Sequence, residues 1–220
     1  MEPDATTPID RTRSVLQTPR SAAVAGIVFA VLMIVHIILI RVTVPAGPHD
    51  AGTWLMGGAG TVAVAVGLVP FAGIAFLWFV GVLRDRLGAQ EDRFFATVFL
   101  GSALLFLATT FVSSAVAGTL LRMYAASAGV LLDSGLYAFG RRVSHELTNV
   151  YSMKMAGVFM ISTCTMSLRT GILPRWMAHL GFVLAAVLLL SLGILYWTHL
   201  IFPLWVLLIS TYIFATNLHG

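Results

Sequence analysis

Five polar side chains are the first candidates for chemistry, because each falls inside or beside a strongly apolar segment. His145, Asn149 and Lys154 belong to "GRRVSHELTNVYSMKMAGVFM", which starts charged and ends apolar. His36 lies within "AAVAGIVFAVLMIVHIILI", and Ser113 lies in a third apolar run. Ionisable residues inside membrane segments usually mark a functional site. A cationic group without acids nearby would suit an anionic or carbonyl-bearing ligand.

Lys154 is the only lysine of the chain and allows two interpretations. If its helix begins near Leu147, Lys154 lies roughly 10 Å along it, at 1.5 Å per residue. His145 and Asn149 share one helix face, and Lys154 lies about 180° round from His145. Lys154 either forms the floor of a pocket together with His36, or it snorkels. Helical side chains lean toward the N-terminus, here toward water, which favours snorkelling.

The composition places most of the chain in a lipid bilayer. Of 220 residues, 59% are hydrophobic and 10% are charged, and the mean hydropathy is +0.94. Soluble domains are nearer about 25% charged, and a soluble chain this short could not bury so much apolar surface. The net charge of +4 is ordinary for loops facing anionic lipid and gives no indication of nucleic acid. A single cysteine, Cys164, excludes an internal disulfide and a thiolate metal cluster.

Six segments are long and apolar enough to predict transmembrane helices. They are residues 22–40, 56–83, 94–121, 147–168, 177–197 and 202–216. Pro70 interrupts the second, Pro203 suits the first turn of the last, and the last two could form one bent excursion. The long connection before the fourth predicts a surface-lying helix or a continuation of the third. The predicted fold is an all-α polytopic membrane bundle of about six helices, with a disordered cytoplasmic tail at 1–20 and one domain at 21–220.

The arginines predict the orientation, because cytoplasmic loops carry an excess of positive charge. With the N-terminus inside, eight arginines are cytoplasmic and four are outside. The inner set is Arg11, Arg13, Arg20, Arg84, Arg86, Arg93, Arg169 and Arg175, and the outer set is Arg41, Arg122, Arg141 and Arg142. We therefore expect both termini in the cytoplasm of a bacterium, with the chain in its plasma membrane.

Four stretches carry a resemblance to a known family. They are "AFLWFVGVLRDRLG", "EDRFFATVFLGS", "LTNVYSMKMAGVFMISTCT" and "GILPRWMAHLGF". Together they resemble a family of uncharacterised, domain-of-unknown-function multi-pass membrane proteins of actinobacteria, over about residues 70–215. The resemblance implies a six-helix plasma-membrane protein and supplies no activity and no catalytic residue.

Several function classes lack their sequence signals. The chain has no GxxxxGK[ST], GxGxxG, HExxH or CxxC motif. Its carboxylates fall in the predicted tail and loops, which counts against a proton- or sodium-coupled transporter. His36, His49, His145 and His199 fall on or near the predicted outer side, which would suit haem b or a metal, although no pair at i, i+4 marks a shared ligand face.

These observations favour a binding or accessory membrane protein over an enzyme. We expect a shallow outer-side pocket for a lipid, a quinone or a partner helix, with a partner protein or a second copy of the chain as possible companions. Lys154 and His36 would form its polar floor, with Asn149, His145 and Ser113 in the same third of the bundle. Two alternatives stay open: a haem-binding membrane oxidoreductase that uses the outer histidines, and an uncoupled transporter of a small solute.

Overall fold

The computed structural model describes residues 8–45, 52–87, 93–191 and 197–216, and every regular element in these ranges is helical. The helices are α1 (Pro8–Thr43), α2 (Leu55–Leu87), α3 (Arg93–Ala126), α4 (Ala128–Asp133), α5 (Leu136–Glu146), α6 (Met153–Thr170), α7 (Arg175–Leu190) and α8 (Ile201–Thr216). A π-helical segment, Leu147–Ser152, joins α5 to α6, and a 3-10 turn, Thr198–Leu200, precedes α8. The predicted all-α membrane bundle is confirmed.

Four helical segments in the described ranges are long and apolar enough to cross a membrane. They are Ala23–Thr43, Leu55–Arg84, Ala96–Ala126 and Thr198–Thr216, so the protein is membrane-embedded. The fourth and fifth predicted spans correspond to α6 with its preceding π segment and to α7. α6 carries a charge near each end, and α7 has 16 residues, or about 24 Å at 1.5 Å per residue. Beyond the four, the count of six crossings stays a prediction.

The six long helices form a closed ring. α1 packs against α2 and α8, α3 lies between α2 and α6, and α7 packs on α6 and meets α8. Phe76 of α2 lies at the centre, with its ring centroid 4.6 Å from that of Phe29 and 5.4 Å from those of Phe106 and Phe159. These separations are typical of packed aromatic pairs. The middle of the ring is therefore a solid aromatic core.

Two parts of the structure differ from the predicted spans. α2 continues through Pro70 without a break, because membrane helices tolerate proline where neighbouring helices and local adjustments satisfy the freed carbonyl. α1 begins at Pro8, inside the segment predicted to be a disordered tail, and residues 1–7 lie outside the described part. Proline suits the first turn of a helix, since its missing N–H would be unpaired there anyway.

α4 and α5 form a separate small layer at one end of the bundle. We call this the pocket end, where α1 ends at Thr43 and α2 begins at Leu55. The layer packs through its own apolar cluster around Leu131 and Tyr137, apart from the phenylalanine core. Gly135 makes the turn between the two helices at φ 73°, a left-handed conformation that favours glycine. Both sequence expectations for this connection therefore hold in part, since α3 runs on to Ala126 and two further helices follow.

Candidate functional site

A cavity of about 210 Å³ lies at the pocket end, between α1, α3, α5 and the π segment. Its polar wall consists of two arginines, three histidines, two aromatic residues, two hydroxyl residues and one amide: Arg41, Arg141, His36, His145, His199, Trp54, Tyr137, Ser144, Thr148 and Asn149. Its apolar wall is Ile37, Ile40, Val44, Pro45, Val62, Ala117 and Leu120. Ligand sites usually combine apolar walls with convergent polar groups, and this cavity has both.

A second cavity of about 220 Å³ lies between α2 and α3 and is different in character. Its wall consists mainly of apolar and small residues, Val66, Pro70, Phe111, Ala115 and Gly118. Ser114 and Arg122 are the polar residues among its described lining, against ten in the first cavity. The first cavity is therefore the candidate functional site, and we call it the pocket.

α1 presents one helical face to the pocket. His36, Ile37, Ile40, Arg41 and Val44 line it at spacings of one, three and four residues, which place them on one side of a helix. His36 Nδ1 lies 2.8 Å from the carbonyl oxygen of Ala65 in α2. A carbonyl only accepts, so Nδ1 is the donor and Nε2 of the neutral ring carries no proton.

Arg41 fixes the opposite tautomer in a second histidine. Its Nη2 lies 2.7 Å from Nδ1 of His199, which belongs to the 3-10 turn before α8. A guanidinium only donates, so Nδ1 of His199 accepts and the proton of the neutral ring sits on Nε2. Arg41 thereby bridges α1 to the start of α8 and decides which atom of His199 can donate.

The Nε2–H of His199 has no hydrogen-bond partner among the described residues. The side chain is 6% exposed and lines the pocket. Leaving a buried donor unpaired costs about 1–3 kcal/mol, and buried polar groups in proteins are nearly always paired. His199 lines the pocket, and an acceptor brought by a ligand would pair this donor and recover that cost.

α5 supplies the opposite wall through one continuous helical face. Tyr137, Arg141, Ser144 and His145 recur every three or four residues, and the face continues into the π segment with Thr148 and Asn149. The Nδ2 of Asn149 donates to the carbonyl of His145 at 2.7 Å, across the start of that segment. π-helical segments occur frequently at functional sites.

Arg141 ties this wall to the connection between α1 and α2. Its Nη2 donates to the carbonyl of Pro45 at 2.6 Å, and its Nη1 donates to the Tyr137 hydroxyl oxygen at 3.2 Å. Trp54 Nε1 donates to the same oxygen at 2.8 Å. The guanidinium is thus held at the wall of the pocket by bonds to a phenol oxygen and a backbone carbonyl.

Hydroxyl groups join α3 to the wall behind the pocket. Ser113 Oγ lies 2.7 Å from Ser144 Oγ and 2.7 Å from Thr148 Oγ1. One turn further into the bundle, Ser152 Oγ lies 2.8 Å from Thr109 Oγ1 and 3.2 Å from Thr110 Oγ1. Ser113, one of the predicted site residues, therefore supports two lining residues and does not line the pocket itself.

Lys154 lies away from the pocket and neither sequence interpretation describes it. Its Nζ donates to the carbonyl oxygens of Leu189 and, at 3.0 Å, Ser191. Leu190 ends α7, so these are carbonyls that the helix leaves without internal partners. A lysine there also complements the negative end of the helix dipole. The prediction that Lys154 shares a polar floor with His36 was wrong, because Lys154 caps α7 on another side of α6.

Three of the five predicted residues, His36, His145 and Asn149, meet in one pocket. The sequence argument missed Arg41, Arg141, Tyr137 and Trp54 as their partners, and it grouped His199 with His36 and His145 only in the haem or metal alternative. One feature of the sequence could have pointed to Arg41 and Arg141: both belong to the four arginines that the predicted topology places on its less basic side. Nothing in the sequence brings His199 to Arg41, 158 positions away.

The sequence analysis also raised a metal site at the outer histidines, and the arrangement of possible metal ligands bears on that alternative. In the described segments, no three His, Cys, Asp or Glu side chains are grouped closely enough to share a metal ion. Cys164 is a free, buried thiol in α6, away from the pocket. His49 lies outside the described residues.

Comparison of the chain with protein-family models, with curated proteins and with solved structures finds no match. The pocket and its chemistry therefore carry the functional inference on their own.

Proposed function

We propose that this protein is a binding or accessory membrane protein whose pocket holds the polar headgroup of an anionic amphiphile. The observation that carries the proposal is the pocket wall, where two guanidinium groups, three imidazoles and a phenol converge and where no carboxylate is found among the described lining residues. Guanidinium groups bind carboxylate and phosphate groups strongly. The apolar residues of α1 and α3 on the other wall suit the adjoining chain of the same ligand.

The size of the pocket supports a headgroup rather than a large cofactor. Its volume of about 210 Å³ is below the roughly 300–1,000 Å³ of pockets that hold drug-sized ligands. A haem is at least as large as such a ligand. The haem-binding oxidoreductase remains the second candidate because three histidines line one cavity, and a Soret band in protein expressed with added haem would favour it.

We place the protein in a bacterial plasma membrane with both termini in the cytoplasm and the pocket facing out. The eight arginines against four support this orientation. Two of the four exceptions, Arg41 and Arg141, line the pocket, which gives them a reason to lie on the less basic side. Membership of the uncharacterised actinobacterial family is part of the same proposal and rests on the quoted stretches alone.

A reporter fused after Gly220 tests the orientation. A cytoplasmic reporter there should be active and a periplasmic one silent. The reverse pattern would place the pocket at the cytoplasmic face or change the number of crossings.

Native mass spectrometry of the protein purified in mild detergent tests the binding function. The wild type should retain an anionic lipid, and Arg141→Gln should lose most of it because a charged contact to the headgroup disappears. Arg142→Gln is the matched control, since Arg142 is the next residue of α5, is exposed and does not line the pocket. Equal retention by all three proteins would refute the proposal. Uptake of labelled solutes into proteoliposomes would separate it from an uncoupled transporter.

A further inference from the structure

In His199, which lines the pocket, Nε2 is the hydrogen-bond donor of the ring, and this bears on the class of ligand. The Nε2–H of His199 is a buried donor without a partner in the described chain. It needs an acceptor, which a ligand can supply as a carbonyl, hydroxyl or oxyanion oxygen or as an unprotonated nitrogen. An ammonium group only donates, so it would leave both groups unpaired.

The positive charges at the pocket favour some ligand acceptors over others. Arg41 lies 2.7 Å from the other nitrogen of the same imidazole, and Arg141 lines the opposite wall. An oxygen that carries negative charge gains from both guanidinium groups, whereas a neutral ester or ketone oxygen gains far less. The donor and the charges together therefore favour an oxyanion.

We infer that the pocket binds the phosphate or carboxylate of an anionic lipid, with His199 Nε2–H as its neutral donor and Arg41 as the residue that holds His199 in this tautomer. The inference rests on the proposed binding function and names the ligand class of the same site. The lipid source follows from the surroundings, because the pocket lies at the end of helices long and apolar enough to cross a membrane and seven of its seventeen described lining residues are apolar.

Arg41 acts here through His199 as a positioning residue. Without Arg41, Nδ1 of His199 loses the donor that keeps it unprotonated, and the neutral ring can carry its proton on either nitrogen. The tautomer is visible in the nitrogen-15 chemical shifts of the imidazole ring. The wild type should show the Nε2–H form, and Arg41→Met should show a mixture. An unchanged tautomer in Arg41→Met would remove Arg41 from this role.

Binding of dioctanoyl phosphatidylglycerol to the full-length protein in detergent tests the ligand class. Dioctanoylglycerol is the uncharged counterpart of the probe, and inorganic phosphate is the same oxyanion without its chains. We expect the phosphatidylglycerol to bind at least about tenfold more tightly than either, since tenfold corresponds to about 1.4 kcal/mol. Equal binding of dioctanoylglycerol would overturn the oxyanion, and equal binding of inorganic phosphate would overturn the lipid.

Two variants of His199 separate this inference from the broader binding function. His199→Leu removes the donor and should weaken phosphatidylglycerol binding about tenfold, whereas His199→Gln keeps an N–H near the same position and should stay within about threefold. If Arg141→Gln weakens binding and His199→Leu does not, the pocket binds an amphiphile but His199 is not its donor. If the wild type binds no amphiphile at all, the proposed function itself fails. Circular dichroism of each variant confirms that the bundle is folded before binding is measured.

Discussion

Lys154 and His199 lie in the same half of the bundle, and both are polar groups inside a membrane protein, yet their partners differ. The ammonium of Lys154 is bonded to two carbonyls at the end of α7. His199 is bonded on one side by Arg41, and its other nitrogen is unpaired among the described residues. The first group is satisfied by the chain and serves the fold, whereas the second keeps a donor for something else.

The comparison shows that a charge inside the membrane does not identify a site by itself. Intramembrane ionisable residues are costly and often functional, and for that reason Lys154 drew attention in the sequence. The cost of Lys154 is met by the carbonyls that α7 could not pair internally. His199, which was less conspicuous because it lies at a predicted helix end, carries the N–H that has no partner among the described residues.

The largest expected effect on stability comes from Lys154, the polar group that the chain itself satisfies. Lys154→Leu leaves the carbonyls of Leu189 and Ser191 without their charged donor and should lower the free energy of unfolding by about 1.5–3 kcal/mol. Thermal unfolding in detergent measures this loss, and lipid retention by the folded fraction should not change. Lys154→Arg is the control, because it keeps a charged donor of similar reach. Loss of ligand with unchanged stability would make Lys154 a binding residue after all.

His199→Leu should change stability less than Lys154→Leu, because two effects oppose each other. The variant loses the bond from the charged Arg41, worth about 1.5–3 kcal/mol, and removes an unpaired buried donor that costs about 1–3 kcal/mol. In lipid-stripped protein the net change should therefore stay within about 2 kcal/mol of zero, measured by the same unfolding assay. A loss of stability clearly larger than that would show that Nε2 already has a partner in the folded chain.

Gly135→Ala should disturb the pocket wall and leave the end of α7 unaffected. The backbone at Gly135 has φ 73°, and a residue with a Cβ pays about 1 kcal/mol or more in that left-handed region. No atom lies within 4 Å of the added Cβ, so the strain is confined to the backbone. Limited proteolysis near the α4–α5 turn should accelerate and lipid retention should fall. A matched control is Gly57→Ala, also with open space around the added Cβ but within α2.

The smallest expected effect belongs to the hydroxyls behind the pocket. Ser113→Ala removes contacts to Ser144 and Thr148, and interhelical side-chain hydrogen bonds in membranes are worth about 0.6 kcal/mol on average. The free energy of unfolding should fall by about that amount, and lipid binding should weaken by less than about threefold. A loss of binding as large as that of His199→Leu would move Ser113 from a supporting position to the site itself.

Part of the candidate site could be predicted from the chain because helical spacing is local. The period of the helix put His145 and Asn149 on one face, and the position of His36 within its apolar run put it at the same end of the bundle. Lys154 was misplaced because the sequence does not record that α7 ends beside it. His199 and Arg41 were not paired because their contact joins the first span to the last.

The sequence by itself determined that most of the chain lies in lipid, that it is helical, and where most of its helices are. Its apolar segments are long enough to cross a bilayer, and a segment in lipid pairs all its backbone groups when it is a helix. It also supplied the basic residues of the pocket, since Arg41, Arg141 and the histidines are part of the chain's excess of basic over acidic side chains. Only the tertiary structure decided which polar groups are satisfied. The closure of the ring brings α8 against α1 and the end of α7 against α6, and pairing across such distant segments depends on packing geometry rather than on any local pattern.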